Sequence, residues 1–228
     1  MKNFLVTTIL WIANALRRRK RYSVPRDVAF ANLGCGLRCL PGWLNVDGSL
    51  TGLLGSRRFS FVNKFLYRFS GAHAHYSFFE YDEIIKKNGL LFYDLRNGVP
   101  FADNSLDAIY ISHFLEHLNE KDGLRLLSDS YRALKRGGIL RILVPNLDQA
   151  IEMYNAGRVD EMLHSFFYTS ERYDFHMHKF NYNFKTLSER LKSAGFRNIR
   201  NMKFKEGECP GIDFLDAYEG SLIVECRK

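Results

Sequence analysis

The stretch that decides the fold is Val28-Ala29-Phe30-Ala31-Asn32-Leu33-Gly34-Cys35-Gly36, near the start of the chain. Residues 28–33 are mostly apolar and form a short run of the kind that predicts a buried strand. Gly34 and Gly36 follow this run directly. Glycines at the end of a first strand let the backbone turn sharply and approach a bound nucleotide closely. Because a Gly-x-Gly pair also occurs in plain turns, its meaning depends on the rest of the chain.

Downstream of the glycines, strand-like and helix-like segments alternate. The predicted strands lie at 44–46, 90–93, 106–111, 139–144, 196–204 and 221–226, and the clearest helices at 122–134 and 184–194. Alternation of this kind predicts an α/β fold with a mostly parallel sheet and helices on both faces. Ligands bind such sheets at the carboxyl ends of the strands. The polar residues at those ends are therefore the candidates for a site.

Two carboxylates stand at such strand ends. Asp47 follows the second strand, where it can accept hydrogen bonds from a ribose diol, and Asp94 follows the third, near the position of an adenine edge. A dinucleotide is disfavoured because the third glycine of G-x-G-x-x-G would fall at Cys39. A nucleoside triphosphate is disfavoured because no Lys-Ser or Lys-Thr follows the glycines. The short interval from Gly36 to Asp47 predicts a short first helix.

Several ordered motifs resemble those of small class I S-adenosylmethionine-dependent methyltransferases of type 11. They are Asn32-Leu33-Gly34-Cys35-Gly36, Pro41-Gly42-Trp43-Leu44-Asn45-Val46-Asp47, residues 100–107 (PFADNSLD), residues 112–118 (SHFLEHL), residues 134–146 (LKRGGILRILVPN) and Gly195-Phe196. The resemblance implies a Rossmann-like sheet of seven strands with an antiparallel C-terminal hairpin. It also implies S-adenosyl-L-methionine as cofactor, with the glycine loop at the methionine part, Asp47 at the ribose and Asp94 at the adenine. The expected cofactor-binding residues are Asn32, Gly34, Cys35, Gly36, Asp47, Asp94 and Ser112. Asn32 and Arg38 depart from the pattern, which often has an acidic residue and a third glycine there.

The segment His113-Phe114-Leu115-Glu116-His117 supplies the candidate catalytic residues, His113 and His117. A neutral imidazole matches the working pH of a general base. The alternative is that Glu116 and His117 only order the loop. The segment also matches the H-x-x-E-H motif of some zinc peptidases. That motif needs both histidines on one face of a long helix, whereas this segment ends a strand, so a peptidase is disfavoured.

A second histidine cluster follows at residues 174–182 (DFHMHKFNY). In an extended segment His176 and His178 point the same way, and with Tyr182 they are the expected acceptor-binding residues. The alternative is an ordinary, partly exposed loop. No metal site is expected, because Cys209 is too far along the chain to give a recognisable ligand spacing.

The distribution of charge and of apolar residues indicates how the chain is divided. The 228 residues carry a net charge of +8, of which residues 17–21 supply five, so the remainder is near +3 and nucleic acid is not an expected partner. We expect an amphipathic, basic helix at 1–22, a methyltransferase domain at 23–228, and an aromatic-rich insertion or lid near 50–89. The helix is expected either to touch anionic lipid or to pack on protein. Export is less favoured, because the charge follows the apolar run.

Four scattered cysteines favour a reducing, cytoplasmic compartment, with the inner membrane face as an option. The expected reaction is methyl transfer to a small or lipid-linked acceptor, with a saccharide or glycolipid hydroxyl as first choice. A quinone-type acceptor is the alternative within the same chemistry. The alternative from another class is a non-catalytic scaffold of this fold in a membrane-associated assembly. The oligomeric state is open.

Overall fold

The computed structural model describes residues 2–25, 29–55, 58–166 and 177–228. Within them, seven strands form one sheet in the order β3-β2-β1-β4-β5-β7-β6. The strands are β1 (Phe30–Leu33), β2 (Leu44–Asp47), β3 (Leu91–Phe92), β4 (Leu106–Ser112), β5 (Leu134–Pro145), β6 (Arg197–Met202) and β7 (Ser221–Arg227). The first five are parallel, and β7 runs antiparallel to both β5 and β6. The predicted fold is confirmed.

Helices and short loops connect these strands. In the described residues the helices are α1 (Lys2–Arg17), α2 (Leu50–Leu54), α3 (Ser60–Ser70), α4 (Phe78–Asn88), α5 (Glu120–Ala133), α6 (Leu147–Asn155), α7 (Val159–Phe166), α8 (Phe184–Ser193) and α9 (Ile212–Leu215). Local sequence fixes several of their starts. The Asn119 side chain accepts a hydrogen bond from the Asp122 amide at the start of α5, and Asn183 does the same for Thr186 in α8.

The core lies on both faces of the central strands. On one face Leu126 and Leu127 of α5 and Leu187 and Leu191 of α8 are buried in one cluster with the apolar side chains of β1, β4 and β5. A smaller cluster, which includes Trp43, Tyr110, Leu143, Leu215 and Ile223, covers the other face. Because β1 and β4 are adjacent while the chain moves outward from them in opposite directions, their carboxyl ends form the switch point where ligands bind in such sheets.

The connection between β1 and β2 differs from the prediction. A short helix was expected there, but residues 34–43 form a loop without helix. The buried amide of Asn45 explains this, since it accepts from the Leu40 amide at 3.2 Å and donates to the carbonyls of Leu40 and Trp43. These bonds hold the loop in a non-helical shape.

The segment Lys135-Arg136-Gly137-Gly138 also lies elsewhere than predicted. The sequence predicts a helix at 122–134 and a strand only from 139, which leaves this segment between them. It belongs to the start of β5, because α5 ends at Ala133 and the strand begins at Leu134. Gly137 has a φ of 79°, which allows the chain to turn there.

A buried ionic network joins β5 to the C-terminal half of the sheet. The Arg141 side chain is fully buried, with Nη2 2.5 Å from Asp216 Oδ2 and Nη1 3.2 Å from Glu225 Oε2. Burial opposes the charge, but the hydrogen bonds that Arg141 donates to Asp216, together with the negative charges of Asp216 and Glu225, raise the pKa of Arg141. Asp216 also accepts from the Tyr110 hydroxyl at 3.2 Å and from the Lys205 amide at 2.9 Å. The network therefore fixes the loop before α9 against the sheet.

Candidate active site

The glycine loop leaves β1 at the switch point. Gly34 has a φ of 70° and Gly36 a φ of 52°, values that side-chain-bearing residues rarely adopt. A Cβ on Gly34 would overlap the Phe114 side chain, whereas a Cβ on Gly36 would meet nothing within 4 Å. Gly34 is thus required by close packing, and Gly36 faces open space. The loop forms a cradle that an added side chain would fill.

Asp47 is hydrogen-bonded to this loop. Its Oδ2 accepts from the Gly36 amide at 3.0 Å, and its Oδ1 accepts from the Ser49 amide at 2.8 Å. A carboxylate offers about four lone-pair positions, so two remain for a ribose diol. The open cradle and this held carboxylate fit the nucleoside part of S-adenosylmethionine.

The two departures from the family pattern contact each other. The Asn32 side chain, 3% exposed, donates to the Arg38 carbonyl at 2.9 Å. The Arg38 guanidinium turns away from the loop and donates to the carbonyls of Phe214 and Leu215 at 2.5 to 3.1 Å. Asn32 therefore shapes the loop from inside, and Arg38 ties it to α9.

A pocket opens above the carboxyl ends of β1 and β4. Its lining consists of Asn32, Gly34, Cys35, Gly36, Leu37, Arg38, Tyr76, Tyr110, Ser112, His113, Leu215 and Tyr218. Six of the residues predicted from the sequence are among them: Asn32, Gly34, Cys35, Gly36, Ser112 and His113. Asp47, Asp94, His117 and His178 are not among the lining residues, although Asp47 is hydrogen-bonded to Gly36 of the lining.

Sequence reasoning missed the tyrosines of this lining. Tyr76 comes from the aromatic-rich segment between β2 and β3, where a lid was expected but no single residue was chosen. Burial raises the pKa of Tyr76 and, more strongly, that of Tyr110, so both remain neutral hydroxyl donors. Tyr218 precedes β7, and no motif marks it. These rings make the outer wall of the pocket partly aromatic.

Asp94 is already engaged by its neighbours. Its carboxylate receives a forked pair of contacts from the Arg96 guanidinium, with Nη2 2.5 Å from Oδ2. Asn14 of α1 donates to the same Oδ2 at 2.6 Å. A contact between Asp94 and adenine stays a prediction, and it requires that adenine share these oxygens with Arg96 and Asn14.

His113 is held between two polar groups at the end of β4. Its Nε2 lies 2.8 Å from Ser221 Oγ, and its Nδ1 lies 3.3 Å from Oε1 of the fully buried Glu116. The Tyr218 ring packs edge-on at 4.5 Å. With a φ of 47°, His113 has a strained backbone, a feature often found at functional sites. A proton on Nδ1 faces Glu116 and leaves the Nε2 lone pair directed at Ser221.

The second histidine segment approaches from the other side of Glu116. The amides of Lys179 and Phe180 donate to the Glu116 carbonyl at 2.7 and 3.1 Å. This contact brings His178 next to His117, with 5.2 Å between ring centroids. Both histidines are partly buried. The segment is therefore fixed to the loop after β4, a contact that sequence spacing alone could not give.

The other predicted acceptor residues have different surroundings. Tyr182 is 1% exposed and belongs to the main core, where burial raises its pKa to about 12. It does not face the pocket, so an acceptor contact is not favoured by its position. His176 lies outside the described residues.

Comparison with known proteins also finds methyltransferases. Residues 82–142 match a family model described as "Methyltransferase domain". The chain is 31% identical over 122 residues to the ubiquinone/menaquinone biosynthesis C-methyltransferase UbiE of Haemophilus ducreyi, covering 48% of this chain and 44% of that protein. It is 28% identical over 138 residues to an S-adenosylmethionine-dependent methyltransferase of Mycolicibacterium smegmatis, named as probable, covering 59% and 46%. These matches support membership of the class I S-adenosylmethionine-dependent methyltransferase family.

Solved structures of this family share the fold. A SAM-dependent methyltransferase from Thermotoga maritima superposes with a TM-score of 0.50 at 16% identity, over 96% of this chain and 87% of that one. The methyltransferase SibL superposes with a TM-score of 0.50 at 15% identity, over 89% and 51%. The alignments with the curated relatives span less than half of the relatives' length. S-adenosyl-L-methionine is the cofactor of this family.

Proposed function

We propose that this methyltransferase-family chain binds S-adenosyl-L-methionine in the pocket at the ends of β1 and β4 and transfers its methyl group to a small or lipid-linked acceptor. The observation that carries the proposal is the open Gly34–Gly36 cradle joined to the Asp47 carboxylate by a 3.0 Å hydrogen bond. When bound, the cofactor supplies an electrophilic methyl group on a sulfonium. The protein contributes alignment and exclusion of water, which can be worth several kcal/mol, on the order of 7 or more for well-oriented groups.

His113 is the proposed general base. Glu116 faces Nδ1 and would favour the tautomer whose Nε2 can accept a proton. Nε2 already contacts the Ser221 hydroxyl, so an acceptor hydroxyl at that place would meet the same lone pair. Glu116 and Ser221 are positioning residues in this scheme. His117 is assigned no proton transfer in it, because its Nδ1 faces the Met177 carbonyl at 3.3 Å.

The acceptor we favour is a saccharide or glycolipid hydroxyl, because a base beside the pocket is needed when the acceptor must lose a proton. A specific observation favours a second candidate. Two relatives carry the name ubiquinone/menaquinone biosynthesis C-methyltransferase, and the tyrosine-rich outer wall of the pocket suits a flat ring.

We further propose that residues 1–22 bind the surface of an anionic membrane. Helix α1 exposes Trp11, Ile12 and Leu16 at 70%, 48% and 82%, and the exposed Arg18 and Arg19 follow it. Apolar side chains beside cations are the pattern of interfacial helices. Among the helices that the structure describes, none has the length and apolar character needed to span a bilayer.

The opposite face of α1 packs on the domain at 23–228. Asn14 contacts Asp94 and Asn97, and the Arg17 guanidinium lies 5.4 Å from the Phe92 ring. We propose that α1 and the helical segment at 50–89 together cover the adenine side of the pocket. The segment at 50–89 has its own small core around Leu66 and Tyr81, which suits an appended lid.

Methyl transfer is tested with methyl-labelled S-adenosylmethionine and two acceptor pools, a polyprenyl-linked glycan fraction and a hydroquinone without its ring methyl. Label on a glycan oxygen supports the first acceptor, and label on a ring carbon supports the second. His113→Asn, chosen because Asn tolerates a left-handed backbone, should lower turnover about 10²–10⁴-fold with unchanged cofactor affinity.

His164→Asn is the matched control, since this exposed histidine of α7 is not among the residues that line the pocket. Full turnover of His113→Asn would remove the base from the mechanism. Binding of S-adenosylhomocysteine without transfer to either pool would favour the non-catalytic scaffold.

A further inference from the structure

The cluster that stands out beyond the cofactor pocket is Glu116, His117 and His178. One ligand atom from each of them lies within 4.8 Å of the others. Two imidazoles and a carboxylate form the protein ligand set of catalytic zinc sites with an open position. We propose that these three residues bind a divalent transition-metal ion of the Zn²⁺ or Co²⁺ type.

The Glu116 carboxylate is the main support for this proposal. It is 0% exposed, and within the described residues neither oxygen takes part in a hydrogen bond. Its contact in that region is His113 Nδ1, 3.3 Å from Oε1. A buried carboxylate is costly unless it is paired or coordinates a metal. One oxygen is turned to His113, and the other can serve as a ligand.

The histidines have the chemistry that such a site needs. The Met177 carbonyl can only accept a hydrogen bond, so at 3.3 Å it favours the proton on Nδ1 of His117. The lone pair of a neutral His117 is then on Nε2. Ligating histidines commonly donate their second ring N–H to a backbone carbonyl in this way. Two neutral imidazoles and one carboxylate leave a net charge of −1 to meet the dication.

Backbone contacts hold the ligands close together before any ion binds. The backbone amides of Lys179 and Phe180 donate to the Glu116 carbonyl, so the irregular segment carrying His178 is fixed on the turn carrying Glu116 and His117. Ligand atoms around one Zn²⁺ are at most about 4.2 Å apart when each bond is about 2.1 Å. Small rotations of the three side chains are therefore enough to bring their ligand atoms within bonding distance of one ion.

The site adjoins the pocket through His113, which contacts Glu116 and lines the pocket. Its open coordination positions would hold an oxygen of the acceptor, an extension that rests on the proposed function. Ion binding itself does not depend on methyl transfer. The proposed metal site differs from the sequence-based expectation of no metal. Ligand spacing along the chain could not indicate it, because His178 approaches Glu116 through a tertiary contact.

The test is titration of the chelator-treated full chain with Co²⁺, followed by its visible absorption, with Zn²⁺ as competitor. We expect one Co²⁺ per chain, displaced by Zn²⁺. His178→Ala and His117→Ala should each weaken binding at least about tenfold. His75→Ala, an exposed histidine remote in the chain from the cluster, is the matched control and should bind as wild type does.

Glu116→Gln tests the carboxylate directly, and the partly exposed histidines keep the test valid if that variant fails to fold. Equal Co²⁺ affinity of wild type and both histidine variants, or no Co²⁺ binding by wild type, would overturn the proposal. S-adenosylhomocysteine binding is measured on the same samples. Its retention in a chain that binds no Co²⁺ would reject the metal site and leave the proposed function standing.

Discussion

At the scale of single residues, backbone conformation decides which positions the site tolerates. The tight turn at Gly34 and Gly36 was predicted from the sequence because glycine readily adopts the backbone conformations that such a turn requires. The contact between Gly34 and Phe114 was not predictable, since it joins two loops about eighty residues apart. The same holds for Tyr218, which reaches His113 only because β7 lies beside β5.

Replacing Gly34 by alanine tests the close approach of the two loops. Gly34→Ala adds a Cβ that overlaps Phe114 at a positive φ, and we expect weaker cofactor binding and a loss of about 1–3 kcal/mol in the free energy of unfolding. Gly42→Ala is the matched control, because its φ of 78° is equally strained but its Cβ meets nothing within 4 Å. Equal losses in the two variants, measured by urea unfolding, would mean that strain alone matters.

The buried ion pair of Arg141 and Asp216 carries a second residue-scale prediction. Asp216→Ala leaves a buried guanidinium without its main partner, so the free energy of unfolding should fall by about 3–5 kcal/mol. The double variant Arg141→Met, Asp216→Leu should regain much of the loss, because it removes both charges. Asp213→Ala, which removes an exposed carboxylate of the preceding helix α9, should be near neutral. A loss below about 1 kcal/mol for Asp216→Ala would show that the pair is not needed.

At the scale of elements, the strands and the two clearest helices were predictable, whereas the connection after β1 was not. Apolar runs ending at Asp47 and Ser112 mark β2 and β4 in the sequence, and both strands end at those residues. The loop at 34–43 contradicts the expected helix because Asn45 binds its backbone from the next strand. The charged residue Arg141, within the otherwise apolar run at 139–144, gave no sign of its partners, which lie 75 and 84 residues away in the chain.

Helix α1 carries the element-scale prediction. Trp11→Ser with Leu16→Ser should lower binding to anionic vesicles, as should deletion of residues 1–22, while added salt should weaken the remaining contribution of the basic cluster. Thr7→Ser, an exposed and already polar position of the same helix, is the control. Cosedimentation with vesicles measures the effect. Binding that responds neither to these changes nor to salt would favour a helix that packs only on protein.

At the scale of the whole molecule, the sequence predicted the seven-stranded sheet, and its motifs indicated the strand ends at which the candidate pocket lies. Two of the motifs, at 32–36 and 112–118, contain six residues that line the pocket at the ends of adjacent strands. The lining residues Tyr76, Leu215 and Tyr218 come from segments whose approach to the pocket depends on packing across the sheet. For the same reason the sequence does not show that Glu116, His117 and His178 lie close together, since His178 follows His117 by 61 residues in the chain.

The central claim is that the pocket beside Asp47 binds the cofactor, and calorimetric titration with S-adenosylhomocysteine tests it most directly. Wild type should bind one molecule per chain. Asp47→Ala should weaken binding by about 1.5–3 kcal/mol, or roughly 10- to 100-fold, because a carboxylate is lost from the ribose diol. Asp107→Ala, an exposed carboxylate of β4 paired with Lys135, should bind as wild type does. Equal affinity of Asp47→Ala and wild type, or no heat of binding by wild type, would contradict the account.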